Sequence, residues 1–168
     1  MVPDVPGDTQ KDTRGNAQED TRGDARRSAE AAAQALLARD HVSKALGIEL
    51  IEIRPGFARM QMVVRGDMVN VHGSAHGGMV FTLADSAFAY ASNTHNKVAV
   101  ASGCSIEFLR PAHPDETLTA TAAEQAIIGR YGIYDVRIEN HRGELIAMFR
   151  GKSAQVRGTV TQGAPGGS

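Results

Sequence analysis

Residues 70–93, NVHGSAHGGMVFTLADSAFAYASN, constrain this chain more than any other stretch. A Gly- and His-rich loop leads through Gly77 and Gly78 into a segment that is apolar on nearly every helical face: Met79, Val80, Phe81, Leu83, Ala84, Ala87, Phe88, Ala89 and Ala91. A helix apolar all round is buried, so the other elements must wrap it. Asp85, its one acidic residue, is then the feature to explain. A carboxylate taken out of water without a partner costs several kcal/mol or shifts its pKa.

The flanking sequence supplies the wrapping. Before the helix stand two strand-like runs, residues 48–55 and 57–64, joined at Pro55-Gly56 as a hairpin. After it come four more, residues 98–111, 117–127, 132–140 and 144–156, separated by segments with turn chemistry. Short strands on short turns pair antiparallel. The order is two strands, one long apolar helix, four strands. A strongly curved antiparallel sheet around one helix satisfies it, giving an α+β fold in which each strand needs only one apolar face. A six-stranded sandwich with a peripheral helix would leave Phe81, Leu83 or Phe88 in water.

Outside this unit, residues 1–24 carry little to bury and repeat Asp-Thr-Arg-Gly at 12–15 and 20–23, a spacing that matches no packed repeat, so a disordered tail is expected. Residues 25–47 turn to Ala, Leu and Arg and predict a helix that stops at Gly47. The folded domain is expected over 48–157, with 158–168 a second disordered tail. A chain of 168 residues holds one ordinary domain. Its net charge of −1 and pI near 6.6 give no sign of a nucleic-acid or membrane partner. No apolar run reaches a membrane span, and the N-terminus lacks the order of a signal peptide. The single Cys104 excludes an intrachain disulfide and suits a reducing compartment, so a cytoplasmic location is expected.

Asn70-x-His72-Gly73-x-x-His76-Gly77-Gly78 opening the helix, Leu83-Ala84-Asp85 within it, and Phe108-Leu109-Arg110-Pro111 ending the next strand together resemble hotdog-fold acyl-CoA thioesterases. Residues 45–156 look most like the phenylacetic-acid-degradation (PaaI-like) family, which hydrolyses phenylacetyl-CoA and hydroxylated relatives. The resemblance implies a hotdog fold and thioester hydrolysis without cofactor or metal, coenzyme A being part of the substrate. It makes the Gly77 N–H the oxyanion donor, Asp85 the general base or nucleophile, and Asn70 and His76 the residues that position substrate or water. Gly78 and Ser86 are further substrate-binding candidates, and Arg110, Arg150 and Lys152, as cations on strand ends, suit the CoA phosphates.

The chemistry agrees. Thioester hydrolysis needs activated water or a carboxylate nucleophile, and donors for the charge that grows on the carbonyl oxygen. A helix N-terminus offers free amides and the positive end of a dipole. Gly77 and Asp85, eight residues apart, are separated by roughly 12 Å along a helix. A nucleophile must lie about 3–3.5 Å from the carbon it attacks. One chain cannot serve one carbonyl with both, so a site shared across a two-fold dimer follows. The resemblance extends this to a homotetramer.

Each residue also has a plainer reading. Asp85 could pair with a strand, His76 and Asn70 could make loop hydrogen bonds, and Ser86 could bond back to its own helix. Arg110, Arg150 and Lys152 could be solvated. His72 and His76 lie in a glycine-broken loop with no third ligand at suitable spacing, so no metal is expected. No phosphate-binding loop or nucleophile elbow is present. The alternatives to a thioesterase are a hotdog hydratase or dehydratase, and a non-catalytic acyl-CoA-binding regulatory module.

Overall fold

The computed structural model describes residues 13–162. Helices α1 (Thr13–Arg39) and α2 (His41–Leu46) lead into strands β1 (Glu49–Arg54) and β2 (Phe57–Val63) and a short 3-10 turn, Gly66–Met68. The central helix α3 (Gly77–Ser92) follows, then β3 (Ala99–Phe108), β4 (Thr117–Ile128), β5 (Tyr131–Asn140) and β6 (Leu145–Gln155). All pairings are antiparallel, and the strand order is β1-β2-β4-β5-β6-β3. This is the expected α+β hotdog arrangement, with α3 packed against every strand of a curved sheet.

Period-two alternation explains the packing. Met60 and Met62 of β2, Leu118, Ala120 and Ala122 of β4, Tyr134, Val136 and Ile138 of β5, and Ala147 and Phe149 of β6 all turn inward and are at most 1% exposed. They meet Leu83, Ala84, Ala87, Phe88 and Ala91 of α3, equally buried. Phe88 packs edge-on to Tyr134 with ring centroids 5.6 Å apart, and Phe81 does the same to Phe149 at 5.6 Å. Each large apolar side chain removed from water in this way contributes about 1.5–3 kcal/mol. The helix sits close enough that a Cβ on Gly151 would lie 2.8 Å from Phe88, which is why β6 carries glycine there.

The N-terminal segment departs from expectation. The helix begins at Thr13, so residues 13–24, expected as part of a disordered tail, are helical. Just beyond this stretch the same helix carries side-chain pairs one turn apart, Arg27 with Asp24 and Arg26 with Glu30 at 2.9 Å. Residues 1–12 lie outside the described residues. The helix is also not continuous to Gly47. It breaks at Asp40, whose Oδ1 accepts from the Ser43 N–H at 2.9 Å and starts α2. Gly47, at φ +69°, ends α2 in the left-handed conformation that suits glycine.

Ala29, Ala32 and Ala33 dock α1 on the domain, at most 3% exposed. Residues 158–162 pack back as well: Val160 is buried, its carbonyl accepts from Arg39 Nη2 at 2.9 Å, and the Thr161 N–H donates to Asn96 Oδ1 at 3.1 Å. Residues 158–162, expected as part of a second disordered tail, are thus packed on the domain, and residues 163–168 lie outside the described residues. Nor is α3 buried all round within one chain. Gly78, Thr82, Asp85 and Ala89, spaced as one helical stripe, form a face that the sheet leaves open.

Candidate active site

The loop ahead of α3 is held by its own polar groups. Asn70 Oδ1 accepts from the His72 N–H at 2.8 Å and from the Ser74 N–H at 3.4 Å, while its Nδ2 donates to Ser74 Oγ at 3.1 Å. Gly73 turns the chain at φ +76°. Backbone bonds of 2.8 Å from the Ala75 N–H to the Ala112 carbonyl, and from the His76 N–H to the Met68 carbonyl, tie the loop to both sides. The point at which α3 begins is therefore fixed.

At that point His76 is the N-cap. Its Nδ1 accepts from the Gly78 N–H at 3.0 Å, and its carbonyl accepts from the Met79 and Val80 N–H groups at 2.8 and 3.3 Å. The Val80 bond is the first regular turn of the helix; of the four amides that a helix start leaves open, those of Gly78 and Met79 are satisfied by these bonds and that of His76 by the Met68 carbonyl. The Gly77 N–H has no partner among the described residues. Gly77 lines a cleft of about 370 Å³ together with Asn70, Ser74, Val80, Phe108 and Arg110. A Cβ on residue 77 would lie 3.2 Å from Phe108 Cζ, so the ring rests where a side chain would otherwise stand. An unpartnered amide at the positive end of a helix, on a residue that lines a cleft, can serve as a donor for an oxygen that gains negative charge.

Asp85 does not line this cleft. It projects from the open stripe of α3, half-buried, and its carboxylate has no hydrogen bond or ion pair among the described residues. Desolvation alone pushes its pKa above the ordinary aspartate value, since nothing nearby favours the charged form. Within one chain, acid and amide are thus apart.

The other expected site residues divide. Asn70, Gly77 and Arg110 surround one cleft, with Arg110 Nη1 donating to the Leu145 carbonyl at 3.1 Å on its rim. The His76 imidazole and the Gly78 amide bond each other and cap α3. Ser86 turns toward α2, its Oγ 3.5 Å from Ser43 Oγ. Arg150 is held by Asp135 through two bonds of 2.6 and 2.7 Å, and Lys152 stands 4.5 Å from the Tyr131 ring. Ser74 was missed by the sequence reading, although its place four residues after Asn70 in a Gly-rich turn is a usable signal. Phe108 was named only within a motif, and its contact with Gly77 is one that only the folded chain reveals. Among the described residues no three His, Cys, Asp or Glu side chains group to hold a metal ion, and no described helix is long and apolar enough to cross a membrane.

Comparison with known proteins bears on this geometry. Residues 72–147 match the thioesterase superfamily model. The acyl-coenzyme A thioesterase PaaI of Escherichia coli is 47% identical over 129 residues, covering 77% of this chain and 92% of that protein. The solved structure of the E. coli PaaI protein, from the phenylacetic acid degradation operon, superposes with a TM-score of 0.79 at 45% identity, covering 80% of this chain and 98% of that one. A mutant of the phenylacetic acid degradation protein PaaI from Thermus thermophilus gives a TM-score of 0.67 at 38% identity, covering 70% of this chain and 100% of that one. Such identity over nearly the whole length of the E. coli protein, on the same fold and through the loop and helix just described, makes this chain a member of the thioesterase superfamily, in its PaaI-like acyl-CoA thioesterase family.

Proposed function

We propose that this thioester hydrolase cleaves phenylacetyl-CoA or hydroxyphenylacetyl-CoA-type thioesters to the free acid and CoASH, at a site that two subunits complete. The observation that carries the proposal is the pair of unsatisfied groups on α3: a free Gly77 amide in a cleft, and an unpartnered Asp85 on an open face. Two α3 helices set antiparallel about a two-fold axis bring Gly77 of each against Asp85 of the other. The open stripe of Gly78, Thr82 and Ala89 lets such helices approach closely. The sheet offers a matching surface, because among the described residues β3 pairs only with β6. Its free edge exposes 48% of Val100 and 53% of Phe108. A long unpaired edge with apolar side chains invites a second strand. Pairing of such dimers into a tetramer, and a cytoplasmic location, complete the proposal.

In the reaction the thioester carbonyl oxygen accepts from the Gly77 N–H at the positive end of α3. Asp85 of the partner subunit either removes a proton from water as that water attacks the carbonyl carbon, or attacks the carbon itself to give an anhydride that water then opens. The C–S bond breaks in either route, and the sulfur leaves as CoASH with a proton. The raised pKa of Asp85 makes it a stronger base than a solvated aspartate. Arg110 and Asn70 border the carbonyl site, and Arg110 together with Lys152 remains available to the CoA phosphates.

The test is continuous release of free thiol from a panel of acyl-CoA esters, read with a thiol-trapping dye. Arylacetyl esters are expected to give the highest kcat/KM. A hydratase or dehydratase would leave the thioester intact, and a binding module would release at most one equivalent of thiol. The absence of turnover with every ester would overturn the proposal.

A further inference from the structure

We infer that Phe108 is a positioning residue for the oxyanion donor: its ring seals one side of Gly77, holds water off the start of α3, and leaves the cleft as the thioester's approach. This deepens, and rests on, the thioesterase reading above. Phe108 ends β3 opposite Ala147, which is fully buried, so its side chain lies on the sheet face that packs against α3. The tip of the ring meets the bare α-carbon of Gly77. Its Cζ, Cε1 and Cε2 lie 3.2, 3.5 and 3.6 Å from where a Cβ would stand. Both residues line the cleft of about 370 Å³.

Backbone geometry gives glycine no reason to stand at 77. The residue is the first of the helix and its φ is not positive, unlike that of Gly73 in the preceding loop. Glycine weakens a helix relative to alanine, so one kept in such a place has a packing reason. Gly78 has its reason in the capping His76, whose Nδ1 would lie 3.1 Å from a Cβ there. For Gly77 the three nearest atoms all belong to Phe108. Nor does core packing explain the ring: Phe108 is 53% exposed, whereas Phe88 and Phe149, the rings of the core, are 1% exposed. Water screens both a hydrogen bond and a helix dipole. A donor with one side closed by a hydrocarbon ring therefore stabilises a growing negative charge better than the same donor in solvent.

The test is a double-mutant cycle on kcat with phenylacetyl-CoA. Gly77→Val keeps the amide and drives its methyl groups into the ring, and Phe108→Ala removes the ring. Each alone is expected to lower kcat about tenfold, less than loss of the donor itself. In the double variant the valine takes the vacated seat, so adding it to Phe108→Ala changes kcat by less than about twofold. Phe108→Leu keeps an apolar end against Gly77 and stays within about threefold of wild type. Affinity for the thioether S-(2-phenylethyl)-CoA, which has no carbonyl oxygen, holds within about twofold in every variant, because the lost interaction is made only in the transition state. A valine that costs the same with and without the ring would mean that the glycine serves substrate approach alone. Thioether affinity that falls with kcat held would make Phe108 a wall for the acyl group. A loss that vanishes at high protein concentration would assign the ring to subunit assembly. Each of these overturns the inference and leaves the hydrolase standing. If the wild-type protein hydrolyses no ester, the thioesterase reading falls and this inference with it.

Discussion

The two ends of α3 are assembled from similar residues, Asn, His, Gly and Thr or Ser, and finish in opposite states. At the C-terminal end every side chain of the cluster is engaged. Asn93 Nδ2 donates to the Ala89 and Ala99 carbonyls at 2.9 and 3.0 Å, and its Oδ1 accepts from the Ala99 N–H at 3.0 Å. Thr94 Oγ1 donates to the Ala91 carbonyl and accepts from the Gly56 N–H, both at 2.8 Å. Glu124 Oε2 lies 2.8 Å from His95 Nε2 and accepts from the Tyr134 hydroxyl at 2.9 Å. At the N-terminal end the loop is equally well bonded, yet one amide is left open on a cleft, and two turns further along one carboxylate has no partner. A satisfied end holds the helix in place. An end with a gap in its bonding is where a substrate, or a second subunit, completes the set.

Substitutions at the two ends should separate rate from stability. Asp85→Asn keeps shape and removes the proposed base, so kcat is expected to fall on the order of 100- to 10,000-fold without any loss of thermal stability. Wild-type turnover in that variant, measured with the thiol dye, would remove Asp85 from the chemistry. Gly77→Pro deletes the open N–H and little else. Proline is tolerated at the first helical position, and the preceding His76 already has the extended backbone, ψ 132°, that proline requires of its neighbour. The new ring crowds only the far end of the Phe108 side chain. A loss of about 100- to 1,000-fold in kcat is expected, the cost of one oxyanion donor.

At the other end, Asn93→Ala strands buried donors and acceptors. It should lower stability by about 2–3 kcal/mol, read by urea titration, with kcat/KM of the folded enzyme within about twofold of wild type. A catalytic loss without destabilisation would invert the contrast between the two ends.

The smallest effect lies in pH dependence. Burial raises the Asp85 pKa in the folded state. Its contribution to stability is therefore fully present below the ordinary carboxylate range, near pH 4, and is lost as pH rises through the raised value. Asp85→Asn should accordingly be somewhat more stable than wild type at neutral pH, with the difference closing on acidification. The acid limb of the kcat/KM profile should sit above the ordinary aspartate value. A limb at or below that value would mean that Asp85 is solvated in the assembled enzyme.

Much of this contrast was legible in the sequence, and the remainder has identifiable causes. The all-round apolarity of residues 79–91 required a wrapped helix, and period-two runs supplied the wrapping strands, which lie within a few residues of where they were expected. Asp85 stood out because it was the one acid in that helix. The separation of Gly77 from Asp85 followed from helix geometry alone. What could not be read were choices among distant partners. Arg150 and Lys152 look alike as cations on one strand, but only the pairing of β5 with β6 gives Asp135 to the first and Tyr131 to the second. Ser86 likewise turns toward Ser43, forty-three residues away, rather than toward the cleft. The early start of α1 was obscured by its Gly and Asp content, which local propensity counts against a helix.

The claim on which the rest depends is that amide and acid act from different chains, and mixed oligomers test it directly. Asp85→Asn and Gly77→Pro chains, each inactive alone, are co-expressed with distinct tags, and the doubly tagged species is isolated and assayed with phenylacetyl-CoA. A shared site leaves one intact centre in each mixed dimer, so about half of the wild-type rate per dimer should return. If mixed dimers stay as inactive as either parent, the donor and the carboxylate work within one chain and the shared site is wrong.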